Sequence, residues 1–195
     1  RAGTPWAAAI ALTLGLSTMW PAAATNPSHA SLELPTQDAL IQDAREALKR
    51  RDKSRLETLR DTAQRQGHPL APWVDYWHLG LRLGEVGTAE VERFYQRWPG
   101  SYVEDRLRND WLLELGRRRA WTDFAQDMPR FKMNDDREVT CYSILAEHEL
   151  GRASQHAGDL RERALAAWLA QREADDGCRL MGRTLIQAKV LGTDA

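Results

Sequence analysis

Few of the side chains capable of chemistry stand in patterns that would let them act together. Two pairs of adjacent carboxylates, Asp135-Asp136 and Asp175-Asp176, are of the right type for acid/base work or for holding a cation. Neighbours on a helix or turn point apart, however, and acids in such places usually cap a helix N-terminus, where the backbone partial charge favours them. Both pairs are therefore read as solvated caps. Glu147-His148-Glu149 has no second histidine in register, and no two of the five histidines stand at i, i+4, so no metal site is expected. Cys141 and Cys178 are too few and too far apart for a zinc site, and the chain has no Cys-x-x-Cys pair for redox exchange. The reading assigns no catalytic residue, no metal ligand and no cofactor.

What remains for the two cysteines depends on the compartment. In a reducing cytosol they are buried small hydrophobes, whereas in an oxidising periplasm two cysteines with no third invite one disulfide. Such a bridge would close a loop of about 38 residues, for which the chain-entropy relation gives roughly 4 kcal/mol. The N-terminus reads as an export signal: Arg1 precedes an apolar run from Trp6 to Leu16, followed by Pro21 and the small residues Ala22, Ala23 and Ala24. The run is too short to span a bilayer, which disfavours a membrane anchor and implies no stable membrane insertion after cleavage. Residues 1–24 are thus expected to be a signal peptide, 25–35 a linker and 36–195 the folded domain. The chain opens on Arg rather than Met, and its true start is expected upstream.

With 27 basic against 28 acidic side chains, the formal charge of -1 provides no global field to hold a polyanion, so nucleic acid is not an expected partner. Lys49-Arg50-Arg51 and Arg117-Arg118-Arg119 fall at helix ends, where cations complement the C-terminal partial charge by about 0.3–1 kcal/mol each. That reading is preferred to contact with an acidic polymer. A chain of 195 residues, 43% hydrophobic and 28% charged, suits one compact domain or a short repeat array. Eight tryptophans against three phenylalanines are a large bulk to bury. Trp73 and Trp77 share a helix face at i, i+4, and Trp111 and Trp168 lie in apolar stripes, so all four are expected to be largely buried core anchors.

The elements that position these residues have a helical period. Leu40, Ala44 and Leu48 are four apart, as are Val103, Leu107, Trp111 and Leu115, and Val91, Phe94, Tyr95 and Trp98 follow i, i+3, i+4, i+7. Val139 to Leu145 is rich in branched and aromatic residues but lacks clean alternation and runs into a good helix former, so it too is read as helix. Stops are expected at Gly67-His68-Pro69, Gly84, Pro99-Gly100, Pro129 and Gly151, giving eight or nine short helices. Leu48, Leu83-Gly84, Leu115-Gly116 and Leu150-Gly151 each close an apolar stripe at spacings of 35, 32 and 35 residues. Helix hairpins at such a period cannot bury their faces alone and must stack. The expected fold class is all-α, a right-handed α-solenoid or superhelix of short helix hairpins.

Several blocks then resemble one family. Leu70-Ala-Pro-Trp-Val-Asp-Tyr-Trp, Val91 to Pro99, Arg106-Leu-Arg-Asn-Asp-Trp-Leu-Leu-Glu-Leu-Gly-Arg-Arg-Arg-Ala-Trp-Thr-Asp-Phe, Thr140-Cys-Tyr, Ala166-Ala-Trp-Leu and Asp176-Gly-Cys-Arg stand in the order found in the soluble lytic murein transglycosylases. The resemblance covers roughly residues 36–192 and corresponds to the N-terminal U-shaped superhelical domain of that family. It implies a periplasmic enzyme that cleaves the MurNAc-GlcNAc bond of peptidoglycan, leaving a 1,6-anhydromuramic end. It also implies that the matching cysteines, Cys141 and Cys178, form a disulfide.

The family carries catalysis in a C-terminal lysozyme-like domain with Glu-Ser, Gly-Leu-Met-Gln-like and Ala-Tyr-Asn-like stretches, and none of these occurs here. This chain is accordingly expected to be a truncated, non-catalytic superhelical domain whose contact with glycan strands runs through the missing catalytic domain. The alternative is a free-standing periplasmic α-solenoid adaptor that binds a protein partner in its concave face.

Overall fold

A computed structural model of the chain describes residues 33–152 and 159–192. The export signal read over residues 1–24 lies outside the described residues, as does most of the linker read over 25–35. The described residues form nine α-helices and one 3-10 turn, with no strand among them. In chain order they are α1 (Glu33–Lys49), α2 (Lys53–Arg65), α3 (Ala71–Gly80), α4 (Thr88–Arg97), α5 (Tyr102–Arg118), α6 (Trp121–Asp127), the 3-10 turn (Met128–Arg130), α7 (Arg137–Glu149), α8 (Leu160–Leu169) and α9 (Asp176–Gln187). The class is all-α, and the branched stretch from Val139 is indeed helical, inside α7.

Short polar side chains start these helices. The carboxylates of Asp52, Asp136, Asp159 and Asp175 and the hydroxyl of Ser101 each accept a backbone N–H from the first turn that follows. Five helix ends close in one way, with a left-handed residue at Arg51, Gly67, Arg119, Gly151 or Lys189. In each, that residue's N–H and the next one turn back onto carbonyls of the final turn, as when Arg119 N bonds Gly116 O at 3.0 Å and Ala120 N bonds Leu115 O at 3.0 Å. Only two of the five carry the glycine that marks such an ending in a sequence. Expected stops at Gly67, Pro99, Pro129 and Gly151 coincide with helix ends, whereas α3 ends at Gly80 and tight turns carry the chain past Gly84.

Packing follows chain order. Each odd-numbered helix packs on the next odd one, from α1 through α3, α5 and α7 to α9, while α2, α6 and α8 each lie against the two odd helices that flank them in sequence and α4 lies on α5. α3 runs parallel to α5, and α7 to α9. Tyr76 and Leu83 meet Asp110 and Arg118 in that order, and Glu138 and Cys141 meet the first residues of α9. The core divides in the same sequence into three clusters, around Leu56 and Val74, around Leu107 and Trp111, and around Leu145 and Met181. One glycine is explained by this stacking. Gly116 lies inside the last turn of α5 rather than beyond it, and a Cβ there would overlap the Tyr142 ring of α7.

The tryptophans divide. Trp111 is 1% exposed at the centre of the largest cluster, as expected. Trp73 and Trp77 are half-buried, with ring centroids 6.5 Å apart, and Trp73 also stands 5.8 Å from the Tyr102 ring. Trp168 corrects the expectation of burial: it is 39% exposed. Its ring lies over Gly182 of α9, against which no side chain competes, instead of being enclosed between helices. Trp111→Ala is expected to cost about 3–5 kcal/mol of unfolding free energy, and Trp168→Ala well under half of that, measured by urea denaturation followed by circular dichroism. Equal losses would contradict this division.

Candidate functional site

The N-terminal ends of α7 and α9 bring together residues that stand 39 positions apart in the sequence, as Glu138 and Gly177 do. Asp136 Oδ1 accepts the Val139 N–H at 3.1 Å and Asp175 Oδ1 accepts the Cys178 N–H at 2.6 Å, so one acid of each flagged pair is a helix cap. Asp136 Oδ2 also accepts from Asn109 of α5 at 3.2 Å, and Asp176 pairs with Arg179 at 3.0 Å. Between the two caps, Glu138 Oε1 accepts the Gly177 N–H at 3.0 Å. A Cβ on Gly177 would stand 2.7 Å from Glu138 Cγ, so this close approach requires glycine. One turn deeper, Cys141 and Cys178 form a disulfide with a Cα–Cα distance of 4.9 Å, both residues wholly buried.

Asp135, Asp136, Glu138 and Asp175 thus face one open cavity of about 560 Å³ with Arg137 and Arg172. The sequence offered no sign that the two acid pairs would meet, because their proximity comes from the parallel packing of α7 on α9. Their chemistry is nonetheless occupied. Burial pushes the Glu138 carboxyl up, the Gly177 hydrogen bond pulls it back, and the Asp175 charge adds to the rise. Burial, followed by the Glu138 charge, pushes the Tyr142 hydroxyl up to about 12. Glu138 is engaged by a backbone donor, which makes it a joint between helices.

The other flagged groups also serve packing. Glu147 grips Arg163 of α8 through both carboxylate oxygens, and among the described residues no three His, Cys, Asp or Glu side chains are placed to hold a metal ion. In the 117–119 cluster, Arg118 pairs with Glu114 at 2.7 Å, lies with its guanidinium 5.1 Å from the Trp111 ring centroid, and donates to Val86 O at 3.1 Å and Leu83 O at 2.5 Å. The cluster does sit at a helix end, and one of its members clips the preceding turn as well. Among the described residues no helix is long and apolar enough to cross a membrane.

Two further hollows are open to solvent. One, of about 550 Å³, lies between α6 and α7 and is of mixed character, with Phe124, Met128, Phe131 and Leu150 on one side and Asn134, Ser143, Glu147 and Arg152 on the other. The other, of about 330 Å³, is the face formed by Leu165, Trp168, Gly182, Ile186 and Leu191, with Arg179 and Arg183 at its rim. The second is predominantly apolar and can seat an apolar surface.

No protein-family model, curated protein or solved structure matches the chain.

The Glu138 joint has a pH signature. Because its folded carboxyl titrates above the ordinary glutamate value, the native state holds the proton more tightly than the unfolded chain, and stability falls as pH rises through that interval. Glu138→Gln keeps an oxygen acceptor for Gly177 and removes the charge. The variant is expected to unfold at a higher temperature than the parent at pH 7, with the difference vanishing as pH falls below the ordinary glutamate range. A constant difference across that range would contradict this assignment.

Proposed function

We propose that the chain is the non-catalytic superhelical domain of an exported lytic transglycosylase, working in the periplasm on peptidoglycan glycan strands and arranged as a right-handed α-solenoid. One observation carries the reading: polar contacts recur between residues about one hairpin period apart. Lys53–Glu85, Tyr95–Asp127 and Arg118–Val86 are each 32 residues apart, Tyr76–Asp110 34, Arg118–Leu83 35, Cys141–Cys178 37, Arg130–Glu92 38 and Glu138–Gly177 39. A globular bundle has no reason to repeat a separation in this way, whereas a stack of two-helix layers does. The blocks of family resemblance also coincide with these joints, since Tyr76, Asp110, Trp111, Arg118, Cys141 and Cys178 all belong to them. The disulfide fits an oxidising compartment.

In this role the domain supplies geometry, a stiff arc that holds a catalytic domain and its strand in orientation. Three of the acids facing the α7–α9 cavity, Asp136, Glu138 and Asp175, are each held by a backbone N–H instead of standing free. The apolar face around Trp168 would be covered by a further helical layer of the same stack. The second reading, a free-standing adaptor, draws on the same open face.

The test incubates purified sacculi with this chain and, separately, with the product of its coding frame extended downstream of Ala195, and analyses the soluble fraction by mass spectrometry. The expected result is no 1,6-anhydromuropeptide above a boiled control from the chain alone and clear release from the extended protein. Release by the chain alone would overturn the non-catalytic assignment. An extended protein without activity, or a stop codon directly after Ala195, would overturn the transglycosylase reading in favour of the adaptor.

A further inference from the structure

The hollow on α8 and α9 is where exposed apolar side chains gather. Of the five large hydrophobic side chains that stand exposed among the described residues, Trp168, Leu169 and Ile186 lie on these two helices, the others being Leu70 and Tyr102. Such side chains scattered singly need no explanation, but a group around one concavity does. Leu165 and Trp168 form its α8 wall, and Gly182, Ile186 and Leu191 face them. Gly182 shapes that wall. A Cβ there would stand 3.3 Å from Trp168 Cζ3, so the glycine lets the indole lie down against α9 and form one side of the hollow.

The charges around the hollow are of one sign. Arg179 and Arg183 line it, on the same stripe of α9 as Ile186, and no carboxylate does. Arg179 is shared with Asp176 at 3.0 Å, in a pair whose side chains are both more than half exposed. Arg183 is exposed and has no ion pair or hydrogen bond with any described residue. With Asp176 set against Arg179, one cation remains unmatched beside the apolar wall. A second copy meeting this face about a two-fold axis would set its arginines against their own images, so the charge speaks against self-association and for an anionic occupant.

From this arrangement we infer that the α8–α9 hollow binds a small amphiphilic monoanion, with a medium-length acyl chain against Leu165, Trp168 and Ile186 and a carboxylate head at Arg183. A volume of about 330 Å³ lies at the lower end of the range for small-molecule pockets, and a mostly apolar wall with few polar groups is their usual composition. Most of the affinity comes from the chain leaving water. The exposed arginine selects the sign of the head and adds less, because an ion pair open to solvent contributes little. The inference goes beyond the function proposed above and does not rest on it; a further helical layer on the same face would compete with the ligand.

The full chain is titrated with sodium decanoate, decanol and decyltrimethylammonium chloride, each below micelle formation and at equal ionic strength, while NMR follows the Trp168 indole N–H and sedimentation records the oligomeric state. Saturable shifts are expected with decanoate, with binding about threefold weaker for decanol and about tenfold weaker for the cation. Arg183→Gln should bring decanoate down to the decanol level, and Ile186→Glu should weaken it about tenfold or more. Leu70→Glu, exposed at the start of α3 and outside the hollow, should leave it unaltered. Equal binding of cation and anion, or decanoate binding undiminished in Ile186→Glu, would overturn the inference. A ligand-free dimer that Ile186→Glu dissociates would also overturn it, assigning the hollow to a second copy.

Discussion

A guanidinium withdrawn from water must be met on every side, and the way this chain meets that demand at Arg108 governs how its middle layers fit together. Arg108 is 1% exposed. Its Nη2 donates to Glu104 at 2.7 Å, its Nε to Asp127 at 3.1 Å and its Nη1 to Asp105 at 3.4 Å, and its Cζ lies 4.1 Å from the Tyr95 ring centroid. The acceptors are themselves shared. Asp127 takes the Tyr95 hydroxyl at 3.0 Å, and Asp105 takes the backbone N–H groups of Lys132 and Met133 at 3.0 and 2.7 Å. Burial pulls the Arg108 pKa down, but Glu104, Tyr95 and Asp127 outweigh it and hold the charge. One side chain therefore ties α4, α5, α6 and the segment before α7 in a single register, since displacing any of them would strand a buried charge.

Smaller versions of this device recur at the other joints. Asp75 takes Arg97 and Trp98 where α4 turns away from α3, Arg118 clips the turn after α3, and Glu138 accepts the Gly177 N–H of α9 beside the disulfide. Apolar burial supplies the bulk of the stabilisation, but it is tolerant of sliding, whereas a buried hydrogen bond is not. Where the joints do not close fully, charged or apolar hollows are left between layers.

Local physics was legible in the sequence, and its tertiary consequences were not. Apolar periodicity located helices such as α5 and α7, and proline or glycine marked the ends of α2, α4, α6 and α7. The left-handed endings at Arg51, Arg119 and Lys189 escaped notice because backbone hydrogen bonding imposes them on residues with no such preference. Gly116 reads only as closing an apolar stripe with Leu115, and is the place where Tyr142 comes close. Trp168 lay in an apolar stripe, yet the face it belongs to has no covering helix among the described residues. The role of Arg108 could not be read from the sequence, since its partners Tyr95 and Asp127 come from other helices.

The central claim, that a buried ion cluster sets the register of the layers, is tested most directly by a double-mutant cycle on Arg108→Met and Asp127→Asn in urea denaturation. Arg108→Met alone should cost about 3–5 kcal/mol by stranding its carboxylates. The double variant should recover part of that loss, a coupling set against the exposed Arg55–Asp43 pair as a reference expected to contribute about 0–1 kcal/mol. A loss at Arg108 no greater than at the exposed pair, with additive single variants, would contradict the account.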